Sequence, residues 1–231
     1  PQNIQALSIV GADQCAAFGV AADAGIKTMQ DVKGKRVGKV VGSLALQANV
    51  RSFLAFGGLT EDDVIMVDEP SYAAAWQALT NGEIDGMTAL TSGAVLEQAA
   101  AGPRGLYWVP MPHSDEAGWE RTQEVNPHFS KGIGTLGPNI PEGGLECASV
   151  PYPVLITYNP DKEDQDYGMI KAVVSHVDDF KTAEPAAKGW AADRQVYGWV
   201  VPYSPGAIRY WKEIGQWDDE KQAHNEMLLK R

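Results

Sequence analysis

The sequence predicts an α/β protein in which one αβ domain is inserted into another. Three observations carry that prediction. Strand and helix patterns alternate from Asp31 to Ala101 in successive βα repeats, which implies a largely parallel sheet with helices on its faces. Two apolar strand-like segments, Ala6 to Ala22 and Val150 to Tyr158, flank that region and read as a two-strand hinge. Everything after Tyr158 has helical spacing. On this reading residues 1–30 are hinge strands and the remnant of a first lobe. Residues 31–146 form the inserted second lobe, and 147–231 return to the first through a strand and helices.

In chain order, Ala6 to Val10 and Ala16 to Ala22 are strand candidates separated by the polar run Gly11 to Gln14. Met29 to Val32 is a short helical turn. The turn Lys33-Gly34-Lys35-Arg36 then opens a strand containing Val37, Val40 and Val41. Beyond Gly42-Ser43, the apolar positions Leu46, Val50, Phe53 and Leu54 lie on one helical face. Gly42-Ser43 thus joins a strand's carboxyl end to a helix's amino end. There the hydroxyl can cap free amides, and those amides together with the helix dipole attract an anion. A plain capped αβ unit fits the same residues.

Gly57-Gly58 ends that helix, Thr60 to Asp63 is a turn, and Val64 to Val67 is the next strand. Ser71 caps a helix with Tyr72, Ala75, Trp76 and Leu79 on its apolar face, and Asn81-Gly82 stops it. Ile84 to Leu90 is a strand, and Thr91-Ser92-Gly93 a further strand-to-helix joint. A helix over Ala94 to Ala101 and a strand over Leu106 to Met111 follow. From Pro112 to Glu146 only Asp115 to Val125 has helical character, and Pro138, Pro141, Gly143 and Gly144 mark a loop. The C-terminal part reads as helices. One carries the face Tyr167, Ile170, Val173, Val174 and Val177, and others span Ala183 to Arg194, Pro205 to Glu213 and Asp218 to Arg231.

Composition excludes several classes. With 44% hydrophobic and 21% charged residues, the chain is neither disordered nor membranous, and no apolar run approaches the roughly 20 residues of a spanning helix. A net charge of -11 leaves no basic face for nucleic acid, although local amides can still bind a small anion. Pro1-Gln2-Asn3 lacks a signal-peptide pattern and the strand-like run starts at Ile4, as in a processed or trimmed chain. Cys15 and Cys147 are too few for a disulfide scaffold and too far apart for a zinc knuckle. One disulfide and two buried thiols both remain open.

Catalysis finds no support. His113, His128, His176 and His224 are scattered without metal-ligand spacing, so neither metal nor cofactor is expected. No nucleophile motif occurs, and Gly34-Lys35 lacks the glycine loop of a phosphate-binding motif. The carboxylate runs at Glu61 to Asp63, Asp161 to Asp166 and Asp218 to Glu220 read as solvated turns and helix starts.

Several stretches resemble a known pattern. Ile26 to Val37 is similar to a signature of type II periplasmic solute-binding proteins, as are Gly42-Ser43 with Phe56 to Val64, and Leu79 to Gly86. The close, Val201 to Gly215 with Pro205-Gly206-Ala207-Ile208-Arg209-Tyr210, resembles the TAXI group, the solute receptors of TRAP transporters. The resemblance implies a type II periplasmic-binding-protein fold of two αβ lobes joined by hinge strands, with the first lobe incomplete in this chain. It implies a monomeric periplasmic receptor that closes two lobes around a small carboxylated solute and works with a TRAP membrane subunit, without nucleic acid. Alternatives are an ABC-type substrate-binding protein, a type II-fold enzyme such as a pyrimidine-precursor synthase, and the effector domain of a regulator.

The site residues implied are Gly42, Ser43 and Leu44 at the first joint, Ser71 and Tyr72 at the second, and Thr91, Ser92 and Gly93 at the third. All lie at strand carboxyl ends, where open αβ sheets bind ligands. Ser71 and Ser92 also read as plain caps, and Tyr72 as a core residue of its helix. Export would allow Cys15 and Cys147 to pair, each lying just outside a hinge strand. The family's glycine-rich first half has no counterpart here, so the helix face from Ile170 to Val177 is expected to stand exposed.

Overall fold

The computed structural model describes residues 3–11, 13–159, 161–183 and 185–230. The chain start at Pro1-Gln2, Ala12 of the polar run, Glu184 of the expected helix and Arg231 at the end of the tail lie outside the described residues. The strands are β1 (Gln5–Ile9), β2 (Ala16–Val20), β3 (Arg36–Val40), β4 (Ile65–Glu69), β5 (Gly86–Leu90), β6 (Tyr107–Val109), β7 (Ser130–Gly134), β8 (Leu145–Ser149) and β9 (Val154–Thr157). The helices are α1 (Leu44–Phe56), α2 (Tyr72–Asn81), α3 (Ala94–Ala101), α4 (Glu116–Val125), α5 (Glu163–Ser175), α6 (Val177–Phe180), α7 (Pro205–Glu213) and α8 (Asp219–Leu229). The α/β class holds.

The chain forms two compact units, Asp13–Val150 and the combination of Pro1–Ala12 with Pro151–Arg231. The larger unit thus begins at Asp13, before the expected Asp31. The reason is β2. Expected as a hinge strand, it instead lies inside the larger unit's sheet, bonded to β5, β6 and β8.

That sheet has seven strands in the order β4-β3-β5-β2-β8-β7, with β6 also on β2. The parallel pairs are β3–β4 and β3–β5; β2 is antiparallel to β5, β6 and β8, and β7 to β8. The expected largely parallel sheet is thus a mixed one. The βα repeats fix only the three strands that helices connect, while β2 precedes them and returns the other way.

Apolar side chains fill both faces, as alternation along each strand requires. One face buries Val40, Ala75, Trp76, Leu79, Met87 and Leu96 between the strands and α2 and α3. The other buries Phe18, Val37, Phe53, Phe56, Trp119 and Phe129 beneath α1 and α4. Helix ends follow their sequence signals. Gly82 closes α2 at φ +81°, a left-handed conformation that glycine adopts without a Cβ penalty. The region from Pro112 to Glu146 holds more than α4, because β7 lies within it and pairs with β8 from Ser130↔Ser149 to Gly134↔Leu145.

In the smaller unit β1 and β9 pair antiparallel, and Trp211 Nε1 donates to Leu7 O at 3.1 Å. The core there holds Leu7, Ile9, Ile170, Val174, Tyr203, Tyr210 and Trp211. Ile170 and Val174 are buried, so the face expected to stand exposed is largely covered within its own unit. Instead of a helix over Ala183 to Arg194 there are two short 3-10 segments, Pro185–Trp190 and Ala192–Arg194. Gly189 within the run weakens helix propagation, and so short a helix has little to offset its nucleation cost.

Candidate functional site

The parallel strands bring the implied joints to one edge of the larger unit. Val40, the last residue of β3, is in register with Glu69, the last of β4, and β5 runs alongside β3 in the same direction. Residues 41–43, 70–71 and 91–93 therefore all lie beyond the same edge. Because β2 runs antiparallel to β5, its start arrives there too, with Thr91 N donating to Cys15 O at 2.9 Å.

At the first joint Ser43 is the cap of α1, its hydroxyl accepting from Leu46 N at 3.3 Å. Gly42 faces open space, and Leu44 is 79% exposed, an apolar side chain held out at the edge. Gln47 Nε2 ties the turn together by donating to Val40 O and Val41 O at 3.0 and 3.1 Å. At the second joint Ser71 caps α2, accepting from Ala74 N at 3.2 Å. Tyr72 is half-buried and meets the Trp76 ring edge-on at 6.3 Å, as its helical spacing allows.

The third joint is built differently. Gly93, not Ser92, occupies the cap position of α3. Ser92 donates to Gln14 Oε1, which joins the end of β5 to the start of β2. Thr91 is buried and acts as a clip, accepting from Cys15 N at 3.3 Å and donating to Leu136 O at 2.7 Å. Gly137 passes so close that a methyl group on it would lie 1.8 Å from Thr91 O. Exposed Gly42, Leu44 and Gly93 can thus meet a solute, whereas the hydroxyls of Ser43, Ser71 and Thr91 are engaged by the protein.

Two edge residues have no motif that marks them in the sequence. Gln14 is 8% exposed, and so is Glu69. Burial pushes the Glu69 carboxyl above its ordinary range, and the negative field of Glu83 adds to this. The only advance signal for Glu69 is its place before Pro70-Ser71 at a strand end.

The Cys15–Cys147 disulfide closes a separation of 132 residues, and both sulfurs are buried. It lies within the larger unit, where Ala16 pairs with Ala148. Among the described residues no group of three or more His, Cys, Asp or Glu side chains could hold a metal ion, and no helix is long and apolar enough to cross a membrane.

The family model for the NMT1-like family matches residues 2–215. The chain belongs to the NMT1-like family. No curated protein matches the NMT1-like chain. Solved structures similar to it include the periplasmic aliphatic sulphonate binding protein SsuA from Escherichia coli, at 21% identity over 46% of this chain and 35% of that one, with a TM-score of 0.38. Another is an ABC transporter periplasmic binding protein from Brucella ovis with glutathione bound, at 14% identity over 78% and 48%, with a TM-score of 0.41. A third is the alkanesulfonate-binding protein SsuA from Xanthomonas axonopodis pv. citri bound to MOPS, at 14% identity over 99% and 59%, with a TM-score of 0.39. The NMT1-like chain spans 35%, 48% and 59% of the length of these three.

Proposed function

We propose that this NMT1-like chain is an extracytoplasmic solute-binding protein that captures a small polar solute at the carboxyl edge of the larger unit's sheet and delivers it to a membrane transporter. The observation that carries this reading is the alignment of the three joints, 41–43, 70–71 and 91–93, beyond one edge of parallel strands. Gly42 and Leu44 open that edge to a solute, and the first-turn amides of α1 suit a carboxylate. An ABC-type importer is one reading of the partner. A TRAP membrane subunit is the second reading, resting on the resemblance of Val201 to Gly215 to the TAXI group. No covalent step belongs to either.

Native mass spectrometry of the purified protein, repeated after denaturation, tests the reading. A small mass lost on unfolding supports it, and fragmentation of the released solute gives its chemical class. Turnover of that solute by the purified protein would replace the receptor with an enzyme.

A further inference from the structure

The smaller unit holds a cavity of about 430 Å³ between α7, α8 and the start of β1. Its walls are apolar at Tyr203, Ile208 and Leu229. Two polar side chains more than nine-tenths buried also line it, Gln5 at 7% exposure and Asn225 at 3%. Asn225 Oδ1 accepts from Tyr203 N at 2.6 Å. A backbone N–H can only donate, so this bond fixes which end of the amide faces it and turns Nδ2 the other way. Among the described residues Nδ2 meets no acceptor, and the small part of Asn225 that stays accessible opens on the cavity. Gln5 has the opposite need. Its Oε1 is buried with no donor among the described residues, and its Nε2 holds only a long bond of 3.4 Å to Asn3 Oδ1. That bond is weak and the terminal torsion of glutamine is soft, so the amide can turn to meet an arriving donor.

These two groups stand at the same end of the cavity, because Ala6, next to Gln5, forms a parallel bridge with Tyr203, the residue that Asn225 holds. Tyr203 lies just before the amino end of α7, whereas Lys212 lines the cavity from that helix's last turn. Ile208 is one turn before Lys212 on the same face, about 6 Å back along the axis. An apolar stretch therefore separates the amide pair from the ammonium. Among the described residues no carboxylate pairs with Lys212, whereas Arg209 is held by Glu163 and Asp164, and Lys171 by Glu213.

We propose that this cavity is a binding site for a small aromatic carboxylate that bears a hydroxyl at its far end. The hydroxyl accepts from Asn225 Nδ2 and donates to Gln5 Oε1, the ring lies along Tyr203 and Ile208, and the carboxylate meets Lys212. A hydroxyl suits the inner end because it donates and accepts at once, which is what the two unused amide groups require. The unpaired ammonium selects an acid at the outer end, and a flat ring suits an aromatic wall in a cavity of small-ligand size. The site lies wholly in the smaller unit and does not depend on the solute reading of the larger unit's edge.

The test titrates the whole chain calorimetrically with three matched probes. These are 4-hydroxyphenylacetate, phenylacetate, which lacks the hydroxyl, and 2-(4-hydroxyphenyl)ethanol, which lacks the carboxylate. The first is expected to bind about tenfold more tightly than either of the others, the range of one hydrogen bond whose loss strands a buried partner or a charge. Gln5→Met keeps the length of the side chain and removes the unpaired oxygen. It should erase the preference over phenylacetate and melt no lower than the parent. Lys212→Gln should erase the preference over the alcohol and keep the one over phenylacetate. No binding of 4-hydroxyphenylacetate, equal binding of the three probes, or a preference that survives its matching variant would each overturn the site. So would Gln5→Met melting well below the parent, because the oxygen would then be satisfied in the unliganded chain.

Discussion

Arg36 holds Asp85 through both carboxylate oxygens, with Nε 3.1 Å from Oδ2 and Nη2 2.7 Å from Oδ1, and its own backbone amide adds a third bond at 3.1 Å. The pair ties the amino end of β3 to the start of β5, the end of the sheet opposite the candidate site. Arg104 lies 3.6 Å from the same carboxylate. Burial disfavours ionisation of Asp85, but the bonds from Arg36 with the nearby positive charge of Arg104 outweigh it and hold the carboxyl below its ordinary 3.8.

The sign of the pH dependence is set by linkage. A lowered folded pKa makes the stabilisation present above pH 3.8 and lost as pH falls through the lower folded value. Asp85→Asn should therefore cost about 1–2 kcal/mol at neutral pH, the lower part of the range for charged hydrogen bonds because Arg36 is partly exposed. Urea titrations at pH 7 and pH 3 check this. The difference between parent and variant should shrink at the lower pH.

Cys15 and Cys147 close a long loop, and loop-closure entropy sets a ceiling of about 5 kcal/mol on what their bond contributes. Replacing both with serine should lower the melting temperature of the larger unit by several degrees. Thiol titration of the denatured, unreduced parent should find none; two free thiols would contradict the bond.

Thr91→Val keeps the shape of the clip and removes its hydroxyl. It leaves the buried Cys15 amide and the Leu136 carbonyl each short of a partner, at a cost of about 2 kcal/mol. The loss should appear in chemical denaturation. Solute affinity at saturating folded protein should stay within twofold, because the hydroxyl is engaged by the protein itself.

How far these features were legible depended on whether their cause was local. The helices α1, α2 and α7 could be read almost to the residue, since Ser43, Ser71 and Ser204 cap and Pro205 starts them through bonds spanning a few positions. The place of β2 could not, because periodicity identifies a strand without naming its partners. Strand β7 escaped because Ser130-Lys131-Gly132-Ile133-Gly134 is a glycine-rich, largely exposed edge strand with little apolar alternation. At the site the sequence located the three joints, and it left each serine open between cap and contact. Glu69 was silent, since its burial exists only once β4 and α2 are in place.

Strand β2 also sets the order in which this protein can be made. Its residues 16–20 bond to 86–90 and 107–109, and Ala16 bonds to Ala148. During synthesis the central strand thus waits with both edges bare until residues 86–90 have left the ribosome, and its bond to Ala148 waits longer still. Pairing at such long separation slows folding and leaves unpaired edges open to wrong partners in the meantime. Cys147 emerges 132 positions after Cys15, so their oxidation comes after β5 and β6 can pair with β2. The bond is a lock turned at the end of biogenesis, not a guide to it.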